Sequence, residues 1–270
     1  MSQSELDATW QRDGFLSPVK IIDAKEASRH RRAFEDAESK AGPQHYLDKA
    51  HTVLTSPLEL ACHPAMLDIV ESLIGPDILL YNVVYIVKEP HSKSYVSWHQ
   101  DFTYWGFDSD DQVSAWLALA PATELSGCMR MIPGSYRHGR YGHTATDDAD
   151  NVLKMGQTVA GINDAEAIVC PLQPGEASFH HGWTLHSSGP NSSDDRRIGL
   201  NIQYLATHMR QTNHDRDSAM LVRGVDIYGH FAQDIPASRD LDPEALAQRD
   251  EMVARFQDIY EMSGQASLTS

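Results

Sequence analysis

The chain has 270 residues, 41% of them hydrophobic, and carries 38 acidic against 22 basic side chains for a net charge of −16. That length can bury one sizeable core, while the charge opposes binding to nucleic acid or to anionic membranes. Three dispersed cysteines, Cys62, Cys128 and Cys170, form neither a close-spaced metal pattern nor a disulfide framework, and with no basic-then-apolar leader and no apolar run approaching ~20 residues the expectation is a single-domain cytoplasmic protein of open oligomeric state.

In chain order, Ser4–Arg12 and Ala24–Ser39 read as short helices outside a core. Gly42–Thr55 reads as loop, and Ser56-Pro57 opens a helix through Leu73, closed by Gly75-Pro76. From Asp77 the pattern changes. Ile78–Val87 is β-branched and aromatic, and Tyr95–Trp98, Val113–Ala120 and Cys128–Ile132 are shorter strand candidates. Tyr136–Ala165 is polar and too long for an ordinary connection, as a lid or binding loop would be. Ala167–Leu172, Glu176–His180, Thr184–Ser187 and Arg197–Leu205 add four strands, and Asp242-Pro243 caps a last helix to about Met262. The set reads as mostly β with flanking helices, a double-sheet jelly roll of the cupin kind: helical residues 1–76, a core at 77–206 and a substrate-side segment at 207–262.

His99 and Asp101 stand two positions apart in SWHQD, so on extended backbone both leave the same face. His186, in LHSSGP, would complete two imidazoles and a carboxylate on one octahedral face, a ligand set that suits non-heme Fe(II) and leaves positions open. His180 and His181 rival His186, and Asp108, Asp110 and Asp111 rival Asp101 although they cluster like a solvated turn. A 2-oxoacid chelating such a metal would leave a second carboxylate for a guanidinium. Arg196 and Arg197 are adjacent, so only one can point inward. Arg197 shares its face with Gly199 and Asn201 and is preferred, while Arg196 is the surface partner. Ser188 could add a hydroxyl to the same carboxylate, Trp116 is either core or a wall of that site, and Asn82, Tyr85 and Lys88 are polar groups on the first long strand that need partners.

WHQD at Trp98–Asp101, VSAWLAL at Val113–Leu119, SGCMRMIPGSYRHG at Ser126–Gly139, PLQPGEASFHHGWTLHSSGPN at Pro171–Asn191 and RRIGLNIQY at Arg196–Tyr204 together resemble the phytanoyl-CoA dioxygenase family of Fe(II)/2-oxoglutarate oxygenases. The resemblance implies Fe(II) as cofactor with 2-oxoglutarate and O2 as cosubstrates. It carries the metal ligands onto His99, Asp101 and His186, the 2-oxoglutarate arginine onto Arg197 and the tryptophan flanking the cosubstrate onto Trp116. It implies hydroxylation of an unactivated C–H bond with release of succinate and CO2, since Asp101 stands where halogenating relatives have a small residue. It does not transmit the substrate. The acidic balance, with no lysine and arginine cluster, favours a small polar metabolite over a coenzyme-A ester. Tyr85, Arg137, His138, Tyr141 and Arg223 are candidate substrate contacts, with Arg216 near the last of them. A jelly-roll isomerase or hydrolase using the same triad without O2, and a non-catalytic metal or 2-oxoacid binder, would share these residues.

Overall fold

The computed structural model describes residues 3–153, 157–214 and 217–268. Helix α1 (Gln3–Asp13) leads into strand β1 (Phe15–Lys20), and α2 (Ala24–Ala41) begins at Asp23, whose carboxylate accepts from the Glu26 N–H as an N-cap. The stretch expected as one helix from Ser56 is two, α3 (Thr55–Ala61) and α4 (Pro64–Ile74). Pro64 lacks the N–H that would continue the first, and its fixed φ suits the first turn of the second.

The strands that follow are β2 (Ile78–Lys88), β3 (Val96–His99), β4 (Gln112–Ala118), β5 (Met129–Met131), the small ribbon β6 (Thr144–Ala145) and β7 (Gln157–Thr158), then β8 (Ile168–Cys170), β9 (Glu176–His180), β10 (His186–Ser188), β11 (Arg197–Ala206), β12 (Ser218–Arg223) and β13 (Ala232–Gln233). Helix α5 (Pro243–Leu268) closes the described chain and runs past the expected end at Met262. Seven strands form one sheet in the order β1-β9-β4-β11-β2-β12-β13, and four form a second, β3-β10-β5-β8. The fold is a mixed one of β-sheets and helices, and no strand is shared between the two sheets. Periodicity passes over β1 because Pro18 interrupts it; at the edge of the sheet, paired only with β9, a missing N–H is tolerated.

The two faces of the larger sheet have different tasks. Val83, Tyr85 and Val87 of β2 and Ile198, Leu200, Ile202 and Tyr204 of β11 pack outward on Phe34 of α2, Leu60 of α3 and Met66 and Val70 of α4. Fully burying such an apolar side chain contributes roughly 1.5–3 kcal/mol, so the helical layer fixes the phase of both strands. Their alternate residues are thereby aimed the other way, into a cleft against the smaller sheet.

Candidate metal centre and its cleft

The cleft, about 860 Å³ including its open mouth, is lined by Asn82, Val84 and Ile86 of β2, Trp116 of β4 and Arg197, Asn201 and Gln203 of β11 on one side, and by Val96, His99, Met129, His186 and Ser188 of the smaller sheet on the other. His99 and His186 are direct cross-strand partners on β3 and β10, their rings 4.1 Å apart. The backbone stays extended through Gln100, at φ −127° and ψ 124°, and then turns into a 3-10 helix over Asp101–Tyr104. His99 and Asp101 therefore reach the same face even though the strand has ended. Nε2 of His99 lies 3.4 Å and Nε2 of His186 3.6 Å from Asp101 Oδ1, and one ligand atom from each residue falls within 4.8 Å of the other two.

The surroundings orient these groups toward a shared point. His99 Nδ1 and His186 Nδ1 each lie 2.9 Å from the carbonyl two residues back, of Ser97 and Thr184. A carbonyl only accepts, so each Nδ1 carries a proton, and each Nε2 is the ring atom turned to the shared point beside Asp101. Ser114 Oγ donates to Asp101 Oδ2 at 3.0 Å and His180 Nε2 stands 3.4 Å from the same oxygen, which leaves Oδ1 facing the two imidazoles. Burial alone would push the Asp101 carboxyl up; His186, His180 and His99 reverse this and hold it well below its usual range. Burial, then His99 and His180, holds His186 well below an ordinary imidazole. Two imidazoles and one carboxylate thus form a metal-binding triad consistent with Fe(II)/2-oxoglutarate chemistry. Of the rivals, His180 is turned to the back of Asp101, and His181 lies 3.7 Å from Asp110 beside Trp10 and Tyr136. Asp108 pairs with Arg210, and Asp111 with His208, on the exterior.

At the other end of the cleft Arg197 is 1% exposed. Its Nη1 donates to Gly127 O at 2.6 Å, its guanidinium lies 5.0 Å from the Trp116 ring centre, and its Nε has no partner among the described residues. Trp116 owes its place to Gly199: a Cβ there would fall 1.8 Å from Trp116 Cζ2. Gly199→Ala should therefore displace the indole and lower the melting temperature by several degrees, for a cost of about 1–3 kcal/mol; an unchanged melting curve would show that Trp116 has room to move. Ser188 lines the cleft, and its hydroxyl and carbonyl accept from Lys88 Nζ at 2.7 and 3.2 Å, with Gly189 O at 2.5 Å.

The structure does not bring the expected substrate contacts to the cleft. Tyr85 has the wrong parity: Asn82, Val84 and Ile86 face inward, and Tyr85 stacks on Phe34 at 4.4 Å among the helices. Arg137 reaches back to Gln11 O and lies over Tyr136. His138 and Tyr141 stack on each other at 4.2 Å in a segment that Gln100 holds, its amide bonded to Gly139 O and to the Tyr141 N–H. Gln100 alternates with the ligands on either side of it and points away from them, so what it holds lies behind the centre. Arg223, on β12, is paired with Asp68 and Glu71 of α4, and Arg196 with Glu38 and Glu89. Arg216 lies outside the described residues. Among the described residues of the Tyr136–Ala165 stretch, Leu153 reaches the cleft. Sequence reasoning missed Tyr46, Asp48, Tyr104, Gln203 and Phe256, all of which line it. Gln203 alone had a legible signal, since it continues the alternation Arg197, Gly199, Asn201.

A second cluster, Glu26, His30 and Glu59, has metal-like spacing. Arg29 occupies it, 2.6 Å from Glu59, 3.7 Å from Glu26 and 2.9 Å from His30 Nε2, so the counter-cation there is already a guanidinium.

The phytanoyl-CoA dioxygenase (PhyH) family model matches residues 10–199. The chain is similar to a probable alpha-ketoglutarate-dependent hypophosphite dioxygenase of Stutzerimonas stutzeri, 29% identical over 52% of this chain and 50% of that protein. It is also similar to the L-proline trans-4-hydroxylase of Streptomyces griseoviridis, 24% identical over 72% of this chain and 82% of that one. Among solved structures, a non-heme monooxygenase, ThoJ in its apo form, superposes with a TM-score of 0.84 at 30% identity, over 97% of this chain and 99% of the other. The chain spans about half the length of the hypophosphite dioxygenase that it matches. The expected cytoplasmic location is corrected by the comparison: relatives from Homo sapiens, Bos taurus and Rattus norvegicus are named as peroxisomal phytanoyl-CoA dioxygenases, so the lack of a leader-like run does not fix the compartment. Among the described residues no helix is long and apolar enough to cross a membrane. With the family pattern extending over more than half of its residues, and the triad in place, the chain belongs to the phytanoyl-CoA dioxygenase family.

Proposed function

We propose that this protein is an Fe(II)/2-oxoglutarate-dependent dioxygenase that hydroxylates an unactivated C–H bond of a small polar metabolite, built on a double-stranded β-helix formed by the two facing sheets. One observation carries the reading: the His99, Asp101, His186 triad and the buried Arg197 line the same cleft. Hypophosphite and L-proline, in the names of two relatives, are both small and polar, and a net charge of −16 disfavours the phosphates of a coenzyme-A ester. In the basic run at 29–32, Arg29 is paired with Glu59 and Arg31 with Glu35 and Asp195.

His99 and His186 Nε2 and Asp101 Oδ1 would hold the metal. When bound, Fe(II) with 2-oxoglutarate and O2 supplies C–H oxidation, with succinate and CO2 as co-products. The protein's own residues bind and position. Arg197 and the Ser188 hydroxyl meet the far carboxylate of 2-oxoglutarate, since a guanidinium fork matches carboxylate geometry. Trp116, held by Gly199, confines the carbon chain beside them, and Asn82 lines the cleft while its amide holds Asp48. Tyr104, Trp105 and Phe256 cover the metal end and exclude water. Anaerobic addition of Fe(II) and then 2-oxoglutarate to the metal-free protein should give a visible charge-transfer band; fully metallated protein without such a band would sink the reading.

Lys88 supplies a pH test. Burial, then the neighbouring Arg197, pulls its ammonium down to about 6. A bound dicarboxylate beside Arg197 would favour the charged form and raise that pKa, so binding takes up a proton above about pH 6 and tightens as pH falls toward it. Calorimetry in buffers of different ionisation enthalpy measures the uptake directly. A buffer-independent binding enthalpy at pH 7.5 would show that Lys88 does not sense the ligand.

A further inference from the structure

Four adjacent strands of the larger sheet place one polar row across the floor of the cleft. The register sets Asn82 beside Gln203, Gln203 beside Ser114 and Ser114 beside His180. Three of these side chains have work within the protein. Asn82 accepts from the Lys49 N–H and donates to Asp48, while Ser114 and His180 hold the back of Asp101. Gln203 differs: it is 6% exposed, lines the cleft, and its Oε1 has no hydrogen-bond partner among the described residues. Asn201, one row nearer Arg197 and beside Trp116, repeats the feature at 8% exposure, with Oδ1 unpartnered.

Buried amide carbonyls without a donor weaken a fold, and leucine would fill either position at no such cost. Two of them on one strand face, about 7 Å apart, are free to accept from a donor that enters the cleft. 2-Oxoglutarate does not meet the need of these two carbonyls, since its carboxylate and keto oxygens only accept. We propose that Asn201 and Gln203 are the recognition pair for the primary substrate, and that this substrate bears hydroxyl or amine groups that donate to the two carbonyls. The inference rests on the oxygenase reading and deepens it. Gln203 is the register partner of the serine that holds Asp101, so a donor bound to it sits next to the metal centre. Phe256 and Leu153 offer apolar contact for the C–H-bearing part of the same molecule.

The test compares wild type, Asn201→Leu and Gln203→Leu, each loaded with 2-oxoglutarate and redox-inert Zn(II). Ligand-observed NMR gives dissociation constants for three probes on one skeleton: cyclohexanol, cyclohexylamine and methoxycyclohexane, the last without a donor. Wild type should prefer the alcohol or the amine over the ether by at least about tenfold, a difference in keeping with a donor meeting a buried acceptor, and which of the two leads tells whether the donor is neutral or charged. Gln203→Leu should bring that preference to within about twofold, with 2-oxoglutarate affinity unchanged and a melting temperature no lower than wild type. A lower melting temperature would make the amide structural and overturn the proposal. So would wild type that binds 2-oxoglutarate but treats alcohol, amine and ether alike, including by binding none of them. Protein that fails to bind 2-oxoglutarate at all would instead overturn the oxygenase reading.

Discussion

Asp101→Ala is expected to weaken Fe(II) binding by more than about 100-fold, beyond the loss typical of a change behind the ligands, and to bring 2-oxoglutarate turnover to background. Asp101 supplies the triad's one negative charge, and its Oδ1 is the atom nearest both imidazoles, at 3.4 and 3.6 Å. The alanine leaves two imidazole nitrogens whose rings are still fixed through Ser97 O and Thr184 O. The site then keeps its shape and loses its charge. It also strips Ser114 Oγ and His180 Nε2 of their acceptor, so the melting temperature of the metal-free variant must be recorded beside the metal titration. Equilibrium dialysis against Fe(II) under anaerobic conditions, with succinate release in parallel, separates the two effects. A folded variant that binds iron and turns over as wild type does would remove Asp101 from the centre.

The residues that sequence reasoning brings to the cleft share one property: their positions follow from local periodicity. His99 and Asp101 lie two apart on extended chain, and Arg197 is the inward member of an adjacent pair because Gly199 and Asn201 continue its face. The same rule applied to β2 would have separated Asn82 from Tyr85, which differ by an odd number of residues and so face opposite sides. Phase on this strand is harder to read, because a bulge opposite the Gln203 and Tyr204 step shifts the register between Asn82 and Leu80. Both Leu79 and Tyr81 then fall on the side of Trp105 and Phe256. Periodicity is silent about contacts that come from elsewhere in the chain. Tyr46 and Asp48 enter from the loop before α3 and Phe256 from the last helix, and only tertiary packing places them. The cations of the Tyr136–Ala165 stretch and of β12 misled for a related reason. Arg137 and Arg223 found a nearer carbonyl or carboxylate on their own side of the protein, as surface arginines of an acidic chain commonly will.

Arg197→Met is expected to raise the dissociation constant for 2-oxoglutarate by about 2–4 kcal/mol, roughly 30- to 1,000-fold, the loss that follows when one partner of a buried charge-assisted pair is truncated. The free protein should hardly be destabilised. Arg197 is fully enclosed, burial pulls its pKa down to about 10, its Nε has no partner, and Nη1 donates to Gly127 O. A methionine of similar reach relieves an uncompensated buried charge at the loss of that one bond. Affinity and stability therefore move independently, which a merely structural arginine would not permit. Succinate, which keeps two carboxylates but lacks the keto oxygen, should lose affinity by a similar factor. Oxalate, too short to reach from the metal to Arg197, should not, so the ratio of the two inhibitors reports the arginine apart from the metal. Were 2-oxoglutarate to bind Arg197→Met within about twofold of wild type, Lys88, bonded to Ser188, would have to take up a proton and hold the far carboxylate instead. The corresponding Lys88→Met variant would then show the loss in its place.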